Sequence, residues 1–364
     1  MSSPKASPGR TPLTAIGLMS GTSLDGVDAA LVITDGITVD RTGGTLTLPY
    51  DNETRSVVRA CFEGGGDVPL ASRLLAERHA KAVKTLLRQE GREAGSIDVI
   101  GFHGQTIVHR PQEGLTWQIG DGARLAALTG IDVVNDFRSR DMASSGEGAP
   151  LAPLYHAALA HALNEAPVAV LNIGGVANVT WIDGDWIIAF DTGPGGALLD
   201  DWVSHRTGDR FDGDGALAAA GRVHQERVDA VLGADPFFAR PPPKSLDRNS
   251  FDVDLSNLGT EDGAATLVAL TTSAVERALD HMPSSPAIWI VCGGGRLNAT
   301  ILAALRERLG DGVKIAEDVG WDGDALEAEA FGYLAVRALK GLPLSLPTTT
   351  GCCEPVTGGA LHRA

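Results

Sequence analysis

Short apolar runs divided by glycine-containing turns dominate the first part of the chain. Residues 15–21 (AIGLMSG), 27–34 (VDAALVIT) and 45–50 (TLTLPY) each predict a β-strand, and the pair Asp35–Gly36 predicts a hairpin turn. The second run is apolar at almost every position, which is typical of a strand covered on both faces. The chain is therefore predicted to begin with a β-hairpin followed by a third strand.

The pattern then changes to alternating helices and strands. Residues 70–93 have apolar positions at helical spacing and many good helix formers. Residues 97–110 (IDVIGFHGQTIVHR) predict a strand, a turn and a strand. Residues 121–130 predict a short helix that ends at glycine, and residues 131–137 predict another strand. This order is typical of an α/β fold.

The same order of elements returns in the second half of the chain. Residues 168–182 (VAVLNIGGVANVTWI) contain an apolar run, a glycine turn and a second apolar run, and residues 186–195 (WIIAFDTGPG) follow another Asp-Gly turn. Two unrelated hairpins could produce this by chance, but the matched order of three strands with the same loop types favours an internal duplication. A helix is predicted over residues 263–280, a strand over 287–295, and two further helices from 298 and over 324–340.

These elements predict two duplicated lobes, each a mixed β-sheet with flanking helices. The predicted parts are a disordered leader over residues 1–12, an N-terminal lobe over 13–140 with the tail 345–364 packed back on it, and a C-terminal lobe over 141–344. Two segments rich in Gly, Ser or Pro, 138–156 and 239–251, are predicted to be irregular, the first of them as an interlobe loop. The tail is predicted to be loop-like.

Charge and composition exclude some function classes. The 364 residues carry a formal net charge of −16, which argues against nucleic-acid and anionic-membrane partners but not against phosphate, which backbone amides bind. The N-terminus has no apolar signal-peptide core, and no apolar run reaches the roughly 18 residues of a membrane span. Four cysteines without a CxxC pair favour a reducing, cytoplasmic compartment, and nine histidines without an HExxH motif argue against zinc.

Three glycine-rich loops follow predicted strands. They are MSGTSLDG at 19–26, NIGGVAN at 172–178 and CGGGRLN at 292–298. None has the GK[ST] of a P-loop or the GxGxxG of a dinucleotide fold. Loops at the carboxyl ends of strands line the ligand crevice of α/β folds. Each loop alone could be a tight turn, but three of them in two duplicated lobes favour a nucleotide phosphate clamped between the lobes.

Acidic side chains near these loops supply candidate chemistry. Asp191 ends an apolar strand before a glycine-rich turn, where a carboxylate can act as a general base in phosphoryl transfer. An Asx turn or a helix N-cap is an equal alternative there. Asp324 is expected to N-cap the last helix, and Glu327 and Glu329 fall in its first turns, where acidic side chains also complement the helix dipole.

Polar groups also follow strands of the N-terminal lobe. His103 and Gln105 lie in FHGQTIVHR, and Asp136 and Arg138 lie in NDFRSRD. A sugar ligand needs such hydrogen-bonding groups, although the end of a surface strand has a similar composition. The arginine could hold a substrate carboxylate in a bidentate pair, or pair with neighbouring aspartates, as clustered surface charges commonly do.

Taken in order along the chain, these motifs resemble the 1,6-anhydro-N-acetylmuramic acid kinases. The resemblance rests on GLMSGTSLDGVDAALV, GFHGQT, NDFR, GAPLAPLYH, LNIGGVANVT, AFDTGPGGALLDDW, PPKS and CGGGRLN, and it runs from about residue 15 to the tail. It implies the two-lobed ATPase fold of actin, hexokinase and Hsp70, with a cleft between the lobes.

The resemblance also implies a reaction. Water would open the 1,6-anhydro ring, and O6 would take the γ-phosphoryl group of ATP, giving N-acetylmuramic acid 6-phosphate and ADP in peptidoglycan recycling. Asp191 would be the base that activates the water, and Glu327 would assist it. The implied substrate-binding residues are His103, Gln105, Asp136 and Arg138. The residues implied to bind ATP, which would act with Mg²⁺, are Ser20, Gly21, Thr22, Ser23, Leu24, Asp25, Gly26, Val27, Asp28, Asn172, Gly174, Gly175, Asn178, Gly293, Gly294, Gly295 and Asn298.

The sequence departs from the usual pattern of this family at several positions. Ser144, Ser145 and Glu147 make the interlobe loop more acidic and poorer in glycine. Gly196 replaces an asparagine, and Arg296 stands where relatives have a small residue beside the expected adenine. The metal-binding aspartate that the superfamily usually has in the first loop is absent, so the ligands of Mg²⁺ are not predicted.

Two alternatives stay open at this point. One is another sugar kinase of the same superfamily, and the other is a nucleotide-dependent assembly protein. The second is weaker, because an assembly ATPase needs no carboxylate aimed at a sugar hydroxyl. Members of the resembled family tend to be homodimers, so the resemblance implies a homodimer that acts on small molecules.

Overall fold

The computed structural model describes residues 11–21, 23–40, 43–62, 64–246, 251 and 253–364. The strands are β1 (Leu13–Ser20), β2 (Gly26–Thr34), β3 (Val39–Asp40), β4 (Thr45–Pro49), β5 (Val99–Arg110), β6 (Leu115–Ile119), β7 (Val133–Asn135), β8 (Val168–Ile173), β9 (Val176–Asp183), β10 (Trp186–Pro194), β11 (Ile288–Cys292), β12 (Val313–Ile315) and β13 (Ala360–His362). The helices are α1 (Asn52–Phe62), α2 (Val68–Gln89), α3 (Gly122–Thr129), α4 (Ser139–Ala143), α5 (Pro153–Ala160), α6 (Ala197–Thr207), α7 (Ala216–Ala220), α8 (Gln225–Ala234), α9 (Thr260–Arg277), α10 (Ala299–Leu309), α11 (Leu326–Leu339) and α12 (Pro347–Thr350).

The chain divides into two compact units. The first runs to Leu159 and includes Ala325–Pro347 and Cys352–Ala364. Its sheet has the strand order β13-β7-β5-β1-β2-β3, with β4 paired to β2 and β6 paired to β5. Strand β1 is antiparallel to β2 and parallel to β5, and β5 is parallel to β7.

The second unit repeats this connectivity. It comprises Ala160–Asp324 and Thr348–Gly351, and its sheet has the order β10-β9-β8-β11-β12. Strand β8 is antiparallel to β9 and parallel to β11, and β11 is parallel to β12. The hairpin β8–β9 thus corresponds to β1–β2, and β11 corresponds to β5. The predicted α/β class with two duplicated mixed sheets is confirmed.

Helix α11 belongs to the first unit because glycines in two strands let it lie close to the sheet. A Cβ added at Gly17 in β1 would come within 1.7 Å of the Ala328 carbonyl oxygen, and one at Gly101 in β5 within 2.0 Å of the Phe331 carbonyl oxygen. From the sequence, this helix was predicted to belong to the C-terminal lobe, over residues 141–344. The division of the structure therefore differs from the boundaries predicted at residues 140 and 344.

Other predicted segments also differ from the structure. Residues 138–156 are not simply a loop, because α4 and the start of α5 lie within them and much of α5 is buried and apolar. The tail is not entirely irregular, since β13 pairs antiparallel with β7. Residues 241–246 form neither helix nor strand, as predicted. Residues 1–10 of the predicted leader lie outside the described residues.

Each unit has its own apolar core. In the first unit, Leu75 and Leu86 of α2 pack with Ile100 and other buried strand residues. In the second unit, α9 is buried along most of its length, and Val268 packs with Phe190 of β10. No helix in the described part of the chain is both long enough and apolar enough to cross a membrane.

Candidate functional site

The first glycine loop joins β1 to β2, and buried polar side chains brace it. The Ser20 hydroxyl donates to Gln105 Oε1 at 2.8 Å, and the Tyr50 hydroxyl donates to Ser20 Oγ at 2.8 Å. Gln105 Nε2 donates to the Gly21 carbonyl oxygen at 3.2 Å. Burial raises the pKa of Tyr50, so its hydroxyl keeps the proton that it donates. Gln105, predicted to bind substrate, thus contacts the loop itself.

Packing and backbone conformation constrain the individual residues of this loop in different ways. A Cβ at Gly26 would come within 2.4 Å of the Leu48 carbonyl oxygen on β4, so strand packing requires this glycine. A Cβ at Gly21 would meet only Ser23 Oγ, at 3.7 Å, so the turn faces open space. Leu24 is buried at a φ of 56°, a left-handed conformation that is uncommon for leucine.

The other predicted ATP-binding residues of the first loop differ in exposure. Asp25 is exposed, whereas Val27 is fully buried in the core. Asp28 Oδ1 accepts a hydrogen bond of 2.7 Å from the Thr47 hydroxyl. Thr22 lies outside the described residues. Among the described residues of this loop, open backbone is therefore found at Gly21.

In the second unit, strand register brings three predicted site residues into one row. Asp191 pairs with Asn178, Asn178 pairs with Asn172, and Asn172 pairs with Cys292. Residues paired across neighbouring strands project to the same face of a sheet. The row lies where β8 and β11 end, immediately before the glycines that follow these strands.

The second glycine loop packs backbone to backbone against the turn that follows β10. The Gly196 N–H donates to the Gly174 carbonyl oxygen at 2.7 Å, and the Gly195 N–H donates to the Gly175 carbonyl oxygen at 3.0 Å. A Cβ at Gly195 would come within 2.3 Å of the Gly174 oxygen. A Cβ at Gly174 has its nearest contact at 3.7 Å, and one at Gly294 in the third loop has none within 4 Å. Both loops thus present open backbone surface.

A buried arginine holds the third glycine loop. Arg296 is 4% exposed; its Nε donates to Glu317 Oε1 at 2.8 Å, and its Nη1 donates to Asp324 Oδ1 at 2.8 Å and to the Gly293 carbonyl oxygen at 3.1 Å. Burial alone would lower the pKa of Arg296, but the bonds to the two carboxylates outweigh it and raise that pKa. The conformation of the loop is therefore fixed by an ion-pair cluster inside the second unit.

Two predicted helix starts have different outcomes. The helix predicted from residue 298 is confirmed as α10, and Asn298 is its N-cap, since its Oδ1 accepts from the N–H groups of Thr300 and Ile301 at 3.1 and 3.0 Å. The prediction that Asp324 caps the last helix is wrong. Its carboxylate binds Arg296 instead, and α11 begins two residues later.

Asp191 lies in β10 next to an irregularity of the ladder, and residues from the irregular segment hold it. Its N–H donates to the Lys244 carbonyl oxygen at 2.9 Å, and its Oδ2 accepts from the Leu246 N–H at 2.7 Å. The second contact joins residues 55 positions apart, whereas Asx turns and N-caps bond within a few residues. The N-cap of the following helix is Gly196. Asp191, 8% exposed, is thus positioned by tertiary contacts.

Sequence reasoning missed Lys244, which the structure places beside Asp191. The lysine is 3% exposed, and its Nζ donates to the Phe237 carbonyl oxygen at 3.0 Å. Burial lowers its pKa to about 8. The PPKS motif was the available signal, but nothing in the spacing of that motif pointed to β10.

In the first unit, a cavity of about 230 Å³ gathers two of the predicted substrate-binding residues, His103 and Asp136. Gln118 and Trp117 of β6 also line it, and the indole is 43% exposed. A partly exposed aromatic ring beside polar groups is a surface on which a small polar ligand can rest.

Arg138 contacts His103, one of the residues that line this cavity. Its Nη2 lies 3.0 Å from His103 Nε2, and its Nη1 donates to the Gly148 carbonyl oxygen at 2.6 Å. Arginine only donates, so His103 Nε2 accepts and its Nδ1 carries the proton toward the Gly104 carbonyl oxygen, 2.9 Å away. Burial, with Arg138 adding to it, lowers the pKa of His103 well below its usual value and keeps this tautomer neutral.

The second predicted catalytic acid, Glu327, is exposed in the first turn of α11 and belongs to the first unit, whereas Asp191 belongs to the second. Its neighbour Glu329 is buried and accepts a 2.6 Å hydrogen bond from the Tyr155 hydroxyl. The part of the chain that the structure describes has no group of three His, Cys, Asp or Glu side chains that could hold a metal ion.

Comparison with known proteins identifies the family. The family model for anhydro-N-acetylmuramic acid kinase matches residues 13–364. The chain belongs to the anhydro-N-acetylmuramic acid kinase family. A kinase of this name from Rhodospirillum rubrum is 53% identical over 358 residues, which cover 96% of this chain and 94% of the relative. Another from Acidiphilium cryptum is 54% identical over 362 residues, covering 96% and 98%. The family predicted from the motifs is confirmed.

The departures from the usual pattern of the anhydro-N-acetylmuramic acid kinases have identifiable surroundings. Arg296 forms the ion-pair cluster of the third loop, and Gly196 provides an N–H to the second loop. Ser145 has a φ of 66°, and the carbonyl oxygen of Ser144 accepts from the Cys353 N–H at 3.1 Å. These residues therefore take part in the loop structure of both units.

Proposed function

We propose that this protein uses ATP to phosphorylate 1,6-anhydro-N-acetylmuramic acid at O6 while water opens the anhydro ring. The products are N-acetylmuramic acid 6-phosphate and ADP. Family membership supports the substrate class. The observation that carries the proposal in the structure is the buried carboxylate of Asp191, whose Oδ2 is fixed by the Leu246 N–H in the row of polar residues at the end of the second sheet.

In this proposal Asp191 is the general base and Glu327 assists it. Water attacks C1 and gives a proton to the Asp191 carboxylate, the C1–O6 bond breaks, and O6 forms a bond to the γ-phosphorus as ADP leaves. Neutral water is a poor nucleophile, so a positioned base contributes roughly 10²–10⁴-fold. Fixing the carboxylate with a backbone N–H supplies the placement that such a step needs.

The glycine loops are the proposed ATP-binding elements. The open backbone at Gly21, Gly174 and Gly294 leaves room for phosphate oxygens that a side chain would fill. When bound, Mg²⁺ neutralises phosphate charge, and in such sites the phosphates and one or two carboxylates supply its ligands. For the sugar, His103 and Asp136 at the cavity of the first unit are the proposed contacts.

Two further properties belong to the proposal. We expect a homodimer, as the family resemblance implies. We also expect cytoplasmic location, which the cysteines support because none of the four forms a disulfide.

The decisive experiment replaces Asp191 with asparagine, which keeps the shape and the bond to Leu246 but accepts no proton. Coupled measurement of ADP release should show turnover reduced by roughly 10²–10⁴-fold. Calorimetric titration should show ATP binding within twofold of wild type. The matched control is Asp185→Asn in the exposed turn before β10, which should be fully active. Near-wild-type turnover of Asp191→Asn, with an intact circular dichroism spectrum, would refute the base assignment.

A further inference from the structure

We propose that Lys244 is a positioning residue that fixes the Asp191 carboxylate for catalysis. The inference rests on the proposed role of Asp191 as the base. It assigns to Lys244 no contact with substrate: the lysine acts through the backbone of residues 244–246.

Two hydrogen bonds from one short segment hold Asp191 in place. The Lys244 carbonyl oxygen accepts from the Asp191 N–H at 2.9 Å, and the Leu246 N–H donates to Asp191 Oδ2 at 2.7 Å. Asp191 is therefore held on both its backbone and its side chain by two residues of one short segment. That segment forms neither helix nor strand, so regular secondary structure does not hold it in place.

The ammonium group of Lys244 anchors this segment. Lys244 Nζ donates to the Phe237 carbonyl oxygen at 3.0 Å and lies 3.3 Å from His281 Nε2. It also lies 4.5 Å from the centroid of the Phe237 ring and 5.7 Å from that of Phe190, the residue before Asp191. The ammonium group is thus enclosed by two aromatic faces and a carbonyl, a geometry that binds cations.

The burial of this ammonium group has an energetic cost. Burying an ammonium group is costly unless it is paired and hydrogen-bonded, and an apolar side chain of the same length would fill the space without that cost. Burial lowers the pKa of Lys244 to about 8, the guanidinium groups of Arg240 and Arg277 act in the same direction, and attraction to Asp191 opposes them. The group therefore stays largely charged at neutral pH and is attracted to the carboxylate whose supporting segment it anchors.

Removing the ammonium group has a specific consequence. The Phe237 carbonyl oxygen loses this donor, and residues 244–246 lose the side-chain bond that fixes them to Phe237. The Leu246 N–H then no longer holds Asp191 Oδ2 in one position. The expected effect is a lower kcat with little change in the KM for ATP, because the base is misplaced while the glycine loops are untouched.

The test is a double-mutant cycle on the full chain. Lys244→Met keeps the length of the stem and removes the charge and the donor, and it is made alone and together with Asp191→Asn. Lys244→Arg keeps the charge and a donor. Lys314→Met, a lysine that is 40% exposed on β12 of the same unit, is the matched control. Turnover, KM for ATP and thermal unfolding are measured for every variant, with product quantified by mass spectrometry where activity is low.

If Lys244 acts through Asp191, Lys244→Met lowers kcat at least about 10-fold in the wild-type background but less than about threefold in the Asp191→Asn background. Lys244→Arg retains more activity than Lys244→Met, and Lys314→Met matches wild type. Equal losses in both backgrounds, or a folded Lys244→Met with normal kcat, would overturn the proposal. If Lys244→Met fails to fold, Lys244→Gln, which also removes the charge, is measured in the two backgrounds and judged by the same ratio. Near-wild-type turnover of Asp191→Asn alone would instead refute the proposed role of Asp191 as the base, on which this inference rests.

Discussion

Acid stability of the first unit depends on histidines that are buried without charge, and His79 in α2 is the clearest of them. Its side chain has no exposed surface, its Nδ1 donates to the Leu75 carbonyl oxygen at 2.7 Å, and its ring lies edge-on to Phe102 with centroids 4.7 Å apart. Burial lowers the pKa of His79 from 6.5 to about 4. The folded protein therefore resists protonation that the unfolded chain accepts.

This difference sets the sign and size of the effect. Between pH 6.5 and 4 the unfolded state binds more protons at this site than the folded state, so stability falls as the pH falls. The contribution is fully present above pH 6.5 and is lost progressively toward pH 4. Each pH unit corresponds to about 1.4 kcal/mol, so the total loss is on the order of 3 kcal/mol. His156, also fully buried, has its pKa lowered to about 4 and acts in the same direction.

The variant His79→Leu removes one of these titrating groups and keeps an apolar side chain in the core. We expect the free energy of unfolding, measured with urea at pH 7, 6 and 5, to fall about 2 kcal/mol less between pH 7 and 5 than in wild type. The control His161→Leu, at an exposed position, should keep the wild-type dependence. An unchanged pH slope in His79→Leu would refute the assignment of the titration to burial of this ring.

Two further predictions test the loops and the packing. Arg296→Met removes both ion pairs of the third glycine loop and should raise the KM for ATP about 5- to 10-fold, with a smaller effect on kcat, in steady-state kinetics. The control Arg308→Met removes a more exposed ion pair and should leave the KM for ATP unchanged. Gly17→Ala should lower the free energy of unfolding by at least about 2 kcal/mol because its Cβ collides with α11, while Gly95→Ala, with open space around it, should lower it by less than about 1 kcal/mol in urea titrations.

The strands of both units were predictable because their sequence pattern is local. β1, β2, β8, β9 and β10 are apolar runs bounded by glycine or Asp-Gly turns, and the repeated order of these runs was enough to indicate the duplication. The division into units was not predictable in the same way. The pattern of α11 shows that it is a helix, but its packing partner is decided by glycines in β1 and β5, far away in the chain.

The helices within residues 138–156 show a second limit. Gly, Ser and Pro are frequent there and indicate a loop, yet α4 and α5 form because tertiary contacts override weak local preference. Asp141, at 2% exposure, accepts from the Gly148 N–H at 2.7 Å, so a buried carboxylate organises the loop from within. Composition cannot reveal such a contact, because it depends on which side chain is buried.

The same distinction explains what sequence could predict about the site. Asp191 was a candidate because the end of a strand before a glycine turn is a local feature, and the alternative of an Asx turn was equally local. What separates these alternatives is the bond from the Leu246 N–H, 55 positions away. The segment that makes this contact also carries a buried lysine, whose ammonium group is retained despite its desolvation cost. A carboxylate held by a distant, charged anchor is a more demanding arrangement than a turn requires, and that difference is the structural argument for the proposed catalytic role of Asp191.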